Sequence, residues 1–450
     1  MKTRIRHIIE LLSANIWMVP LLFLIASVAL AFFNFYLDKN ILARHIQLPG
    51  LHQYFNDPEN IRTLLSVSAT SILGVAGVSF SITIASLTLA SQQFGPRLLR
   101  NFMMNRFNQV VLGMFIGTFL YCIMMLQFIG SMDFEKTTPF ISMIGLLILI
   151  VTNLLMLVFF IHHIAVSIQA DSVIEEVNKE LKAKLVTFFP EESADTAHLP
   201  NTPPLGEQKS QFAETGITVN AKKSGYLQAI DADSLLKFLT DEGVSLQLIV
   251  KPGDFIIQNS AIGYCLISEE QKEDFVSSIS EPINKRLILG HVGTAEQDPE
   301  FAIRQLVEVA VRALSPGIND PFTAITCIDR LGDNIAFLIN RQFPSNQHLD
   351  DEGRLRLLVK TFTFEGIVEA AFNQIRQHGR RDVSVTIRLL ETILSLAAQV
   401  NNEEQAKAIN IQAQALYLAC NENFNANKDR DDIESLYRSI TECIDERVND

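Results

Sequence analysis

The segment FISMIGLLILIVTNLLMLVFFIHHI, Phe140–Ile164, contains no Asp, Glu, Lys or Arg. About 20 largely apolar residues suffice for a helix to cross the hydrocarbon core of a bilayer, so this run predicts a transmembrane helix. Working outward, three more uncharged apolar runs precede it, Trp17–Leu37, Leu64–Ala90 and Val110–Ile129. The first has the basic flank of a signal peptide (Lys2, Arg4, Arg6) and an Ala29-Leu30-Ala31 string inside it. Its apolar run nevertheless continues through Phe35, too long for a signal core, so it reads as an uncleaved span. The expected architecture is an α-helical membrane domain of about four transmembrane helices, followed by a soluble α+β domain.

Charge divides the chain in the same place. Residues 1–165 hold 10 Lys/Arg and 6 Asp/Glu; against chain totals of 37 and 50, the remainder holds 27 and 44, a net charge of −17. So acidic a body argues against nucleic-acid binding, which needs basic surface to neutralise phosphate. The five cysteines, Cys122, Cys265, Cys327, Cys420 and Cys443, form no C-x-x-C pair and no Cys/His ligand spacing. Scattered thiols suit a reducing cytosol. Neither a metal nor a cofactor is expected, and no nucleophile–base motif suggests an enzyme.

Orientation follows the basic residues of short loops. Six (Lys2, Arg4, Arg6, Arg97, Arg100, Arg106) fall on one side and four (Lys39, Arg44, Arg62, Lys136) on the other, which places both termini in the cytoplasm. Arg97 and Arg100 lie in a turn and amphipathic segment running to Phe107, at headgroup level. Trp17 suits an interfacial anchor. His162 and His163 end the fourth run; adjacent helical positions diverge by about 100°, so they read as interfacial residues rather than a metal pair.

The second run differs in kind. Ser66, Thr70, Gly74, Gly77, Ser81, Ala85, Thr88 and Gln92 recur at helical spacing and define one stripe of small or hydroxylated side chains. Such a stripe permits close helix packing, with hydroxyls bonding across the contact. It also suits a helix lining an aqueous pore. The two uses are compatible in a homo-oligomer. The absence of charge inside any run argues against a proton-driven pump or a voltage sensor.

After the spans, the apolar spacing of Val173, Val177, Leu181 and Leu185 predicts that the fourth helix continues into the cytoplasm, and Pro190–Gln211 reads as a linker. The boundaries expected are 1–168 for the membrane domain, 169–211 for the helical extension and linker, 212–293 for a small β-barrel or sandwich, and 294–450 for a helical part. Strands are expected over Ile217–Val219, Gly225–Ile230, Val244–Val250, Phe255–Ile257, Ile262–Ile267 and Arg286–Val292, with a further strand at Leu355–Val359. Helices are expected over Asp233–Thr240, Gln271–Asn284, Pro299–Leu314, Pro321–Arg341, Phe364–His378, Val383–Val400, Glu403–Asn423 and Asp431–Val448. Asp298-Pro299 and Asp320-Pro321 each set a capping carboxylate before a first-turn proline. Gly379 reads as a C-terminal stop.

The string Ala313–Ala324, ALSPGINDPFTA, predicts a rigid corner between two helices, with Gly317 and Asn319 free to take positive φ and Asp320 capping the second helix. Upstream, Arg304, Glu308 and Arg312 recur every four residues and can pair along one face. The corner residues Arg304, Glu308, Arg312, Ser315, Asn319 and Asp320 are therefore either a capped turn with an ion-pair ladder or a small anion or ligand site.

The segments Ser79–Thr83, Ala90–Leu99, Phe160–Ala165, Glu296–Asp298 and Ala313–Ala324 resemble the bacterial membrane proteins catalogued as domain of unknown function 2254. The resemblance runs over nearly the whole chain. It implies a bacterial inner-membrane location and brings no activity with it. Function is thus left to the residues. They point first to a homo-oligomeric channel-like or passive transport protein, with a conducted ion or small solute and a pore lined by the second span. A membrane-anchored regulatory or scaffold protein, whose soluble domain binds a ligand or partner, is the other reading.

Overall fold

The computed structural model describes residues 17–42, 57–95, 106–130, 139–191, 212, 214–266 and 275–449. Lys2, Arg4, Arg6, Arg44, Lys136, the segment 96–105 and most of the linker, 192–211, lie outside the described residues. The chain divides into two compact units between Ser172 and Val173.

Among the described residues, the first unit holds four helices long and apolar enough to cross a membrane. They are α1 (Met18–Leu37, followed by a π-helical turn at Asp38–Leu42), α2 (Pro58–Phe94), α3 (Arg106–Ile129) and α4 (Phe140–Ser167). Helix α2 is 37 residues long, about 55 Å at 1.5 Å per residue, so it outruns a hydrocarbon core of about 30 Å. Asp57 caps its start by accepting from the Glu59 N–H at 2.9 Å, ahead of Pro58. Gly95 ends it at φ +114°, a conformation costly for any side chain.

Helix α3 is central and packs against the other three. Two glycines let α1 approach it: a Cβ on Gly113 would meet Pro20 Cα at 3.0 Å, and one on Gly117 would meet Ser27 Oγ at 2.5 Å. This Gly-x-x-x-Gly spacing is a close-packing device of membrane helices. One core gathers Ala31, Leu65, Ala69, Tyr121, Met125, Met143 and Leu146, and a second gathers Ile72, Ala76, Val111, Phe115, Phe160 and Ile164. The outer faces of α1 and α4 expose Leu21, Leu22, Phe32, Phe33, Ile148, Leu154, Val158 and Phe159, as helices in lipid do.

The fourth helix does not run on unbroken. Ile168 and Gln169 interrupt it before α5 (Ala170–Phe188), whose buried face carries Val173, Val177, Leu181 and Leu185 at the expected spacing.

The second unit contains β1 (Ile217–Asn220), β2 (Gly225–Ile230), α6 (Ala232–Asp241), β3 (Ser245–Leu248), β4 (Phe255–Ile256), β5 (Ala261–Leu266), α7 (Phe275–Lys285) and β6 (Leu287–Gly290). There follow α8 (Pro299–Ala313), α9 (Pro321–Ile339), β7 (Gln347–Leu349), β8 (Leu355–Leu358), α10 (Phe364–Gly379), α11 (Val383–Ala397), α12 (Glu403–Asn423) and α13 (Asn427–Asn449). The strands form a five-stranded sheet, β1-β5-β3-β8-β7, and a three-stranded sheet, β4-β2-β6. They do not close into a barrel. Instead they share a core of Val219, Leu227, Leu246, Leu248, Ile256, Ile262 and Leu357 with Leu235 and Leu239 of α6 and Ile279 and Ile283 of α7, as in a small sandwich.

Pairing of β3 with β8 is parallel, Leu246 opposite Leu357. The larger sheet therefore draws strands from both sides of residue 293. Strand β7 was not expected. Gly379 does end α10, but its φ is not positive; a Cβ there would lie 2.7 Å from Val385 Cγ1, so glycine serves helix contact rather than a left-handed cap. Gly317 likewise keeps negative φ, whereas Asn319 takes +51°.

Candidate functional site

Every residue of the sequence-predicted stripe on α2, namely Ser66, Thr70, Gly74, Gly77, Ser81, Ala85, Thr88 and Gln92, is exposed in the single chain. The opposite face, Ile61, Leu65, Ser68, Ala69, Ile72, Ala76 and Ser79, is buried. Among the described residues, the packing of α2 inside the first unit thus runs through that other face. A Cβ added at Gly74 or Gly77 would meet nothing within 4 Å. Thr70, Ser81 and Thr88 donate to the carbonyls of Ser66, Gly77 and Ile84 one turn back, at 2.9 Å each. Their hydroxyl oxygens keep lone pairs pointing outward. At the N-terminal end of the stripe, Ser66 borders a shallow open groove with Asp57, Glu59, Arg62 and Thr63.

Polar groups that sequence reasoning passed over occupy the interior of the same unit. Asn34 of α1 donates to the Tyr121 hydroxyl of α3 at 3.0 Å, and Tyr121 donates to the Ser142 carbonyl of α4 at 2.8 Å. Asp38 accepts from Ile141 N–H, Ser142 N–H and the Ser142 hydroxyl at 2.8, 3.0 and 2.5 Å, capping α4 from the end of α1. Deeper, Asn153 donates to Thr118 Oγ1 at 2.8 Å. Asn153 Oδ1 and Ser79 Oγ are buried without a partner among the described residues. His162 is exposed, and His163 packs on the Phe107 ring with centroids 4.7 Å apart.

In the second unit the corner is closed by its own groups. Asp320 accepts from Thr323 N–H at 3.2 Å and the Thr323 hydroxyl at 2.6 Å, while its own N–H donates to the Ala313 carbonyl at 2.8 Å. Ser315 Oγ donates to the Arg312 carbonyl at 2.6 Å, and Asn319 N–H to the Ser315 carbonyl at 2.9 Å. The anion position at the start of α9 is filled by the Asp320 carboxylate. Of the expected ladder, Arg312 lies 3.5 Å from Glu308. Arg304 instead reaches back to Asp298 at 2.5 Å and Glu300 at 3.1 Å.

That reach completes a charge cluster. Lys251 meets Glu300 at 2.5 Å and lies over the Phe362 ring, 4.5 Å from its centroid. Asp298 also caps α8, accepting from Phe301 N–H at 3.0 Å. Gly253, at φ +97°, lets the loop pass so close that a Cβ there would sit 2.2 Å from Asp298 Oδ2. Burial pushes the Asp298 carboxyl up to about 6 despite the attraction of Arg304, and Glu300 adds to the rise. The sequence carried the cap but not these partners, which come from a distant loop.

A family model described as "Predicted membrane protein (DUF2254)" matches residues 13–395. "Uncharacterized protein MT1328" of Mycobacterium tuberculosis is 27% identical over 450 residues, covering 99% of this chain and 84% of the relative. "Uncharacterized protein Mb1321c" of Mycobacterium bovis matches to the same extent, 27% identity over 99% of this chain and 84% of its own length. No solved structure matches. With the family model covering the four candidate spans and most of the second unit, the chain belongs to the family of bacterial membrane proteins described as DUF2254.

Proposed function

We propose that the protein is a homo-oligomeric, channel-like or passive transport protein of the bacterial inner membrane, with α2 of each copy facing a shared pore and the soluble unit serving as vestibule or regulator. The observation that carries this reading is the exposure of the whole small-polar stripe of α2 while the other face of that helix packs inside the protomer. A face of Gly, Ser and Thr gives lipid chains little to pack against. It gives water both room and acceptors. The basic residues of the short loops set both termini on the cytoplasmic side.

The test is flux through purified full-length protein in liposomes loaded with an ion-sensitive dye. Ser81→Leu narrows or dewets the path and lowers flux; Ile82→Leu, one apolar side chain for another beside the stripe, leaves it near wild type. Equal flux from wild type and Ser81→Leu would remove α2 from the conduction path.

One observation favours the second reading, a membrane-anchored regulatory or scaffold protein. Thr70, Ser81 and Thr88 already satisfy their hydroxyl protons within the helix, so this face can also rest against another helix or lipid. Absence of flux together with disulfide formation between copies carrying Ser81→Cys would favour that reading.

A further inference from the structure

We draw no further inference here: the strongest candidate, the exposed apolar patch that Phe255 and Ile288 form with the neighbouring Ile257 and Val292 on the β4-β2-β6 sheet of the second unit, carries none because nothing in the structure shows what covers it.

Discussion

Asp298 is where charge, burial and helix capping meet, and its replacement separates them. Its side chain is 1% exposed, Oδ2 sits 2.5 Å from Arg304 and Oδ1 caps Phe301 N–H. Burial raises its carboxyl from 3.8 to about 6, outweighing Arg304 and helped by Glu300. The folded form therefore holds its proton more tightly than the unfolded chain. Between about pH 4 and pH 6 the native state binds the extra proton, so the stability this group contributes falls as pH rises through that window. A shift of about two units corresponds to about 3 kcal/mol. Asp298→Asn keeps an acceptor for Phe301 N–H and cannot ionise. The gap between this variant and wild type should then move by about 3 kcal/mol in favour of Asn between about pH 4 and pH 7. Asp298→Ala lacks the cap as well and should lie about 0.5–2 kcal/mol below Asn at every pH. Thermal unfolding of the full-length protein in mild detergent, followed by circular dichroism at stepped pH, measures both, and taking differences cancels the other titrating groups. A constant gap between wild type and Asn would refute the reasoning, since it would mean that Asp298 stays ionised throughout and that Arg304 outweighs burial.

Asp320→Ala removes the acceptor of Thr323 N–H and should cost about 0.5–2 kcal/mol, read as a lower unfolding midpoint of the second unit in the same assay. In the first unit, Tyr121→Phe leaves the buried Asn34 amide and Ser142 carbonyl without their partner and should cost about 1–3 kcal/mol. An unchanged midpoint in detergent would show that these groups re-pair without the phenol.

Sequence signals in the second unit carried wherever the cause is local. Asp298-Pro299 and Asp320-Pro321 announce helix starts because cap and proline act within one turn, and both carboxylates do cap. The left-handed Asn319 was legible for the same reason; Gly317, two residues before it, was read as free to take positive φ and does not use that freedom. Strand β7 was missed because Gln347-His348-Leu349 has no apolar alternation and sits at a sheet edge, where pairing with β8 alone defines it. Gly379 shows the same limit from another side. Its position at a helix end was readable, but its reason is Val385 on the next helix.

The membrane unit extends this contrast to the candidate site. The α2 stripe could be read because its members share one helix and one period. Asn34, Asp38, Tyr121 and Ser142 could not, since they are brought together from separate helices and each alone is an unremarkable residue in or beside a span. Together they bear on the functional reading. The interior polar groups of the first unit are largely committed to one another: Asn34 to Tyr121, Tyr121 to Ser142, Ser142 to Asp38 and Asn153 to Thr118. A water path through the helices of one copy would have to break bonds that hold α1, α3 and α4 together, leaving buried groups unpaired at about 1–3 kcal/mol each. On the α2 stripe, by contrast, Thr70, Ser81 and Thr88 bond only one turn back, and a Cβ at Gly74 or Gly77 would meet nothing within 4 Å. If solute crosses this protein, the lower-cost route runs between copies along α2, which is why the proposed pore requires an oligomer and why Ser81 is the position to test.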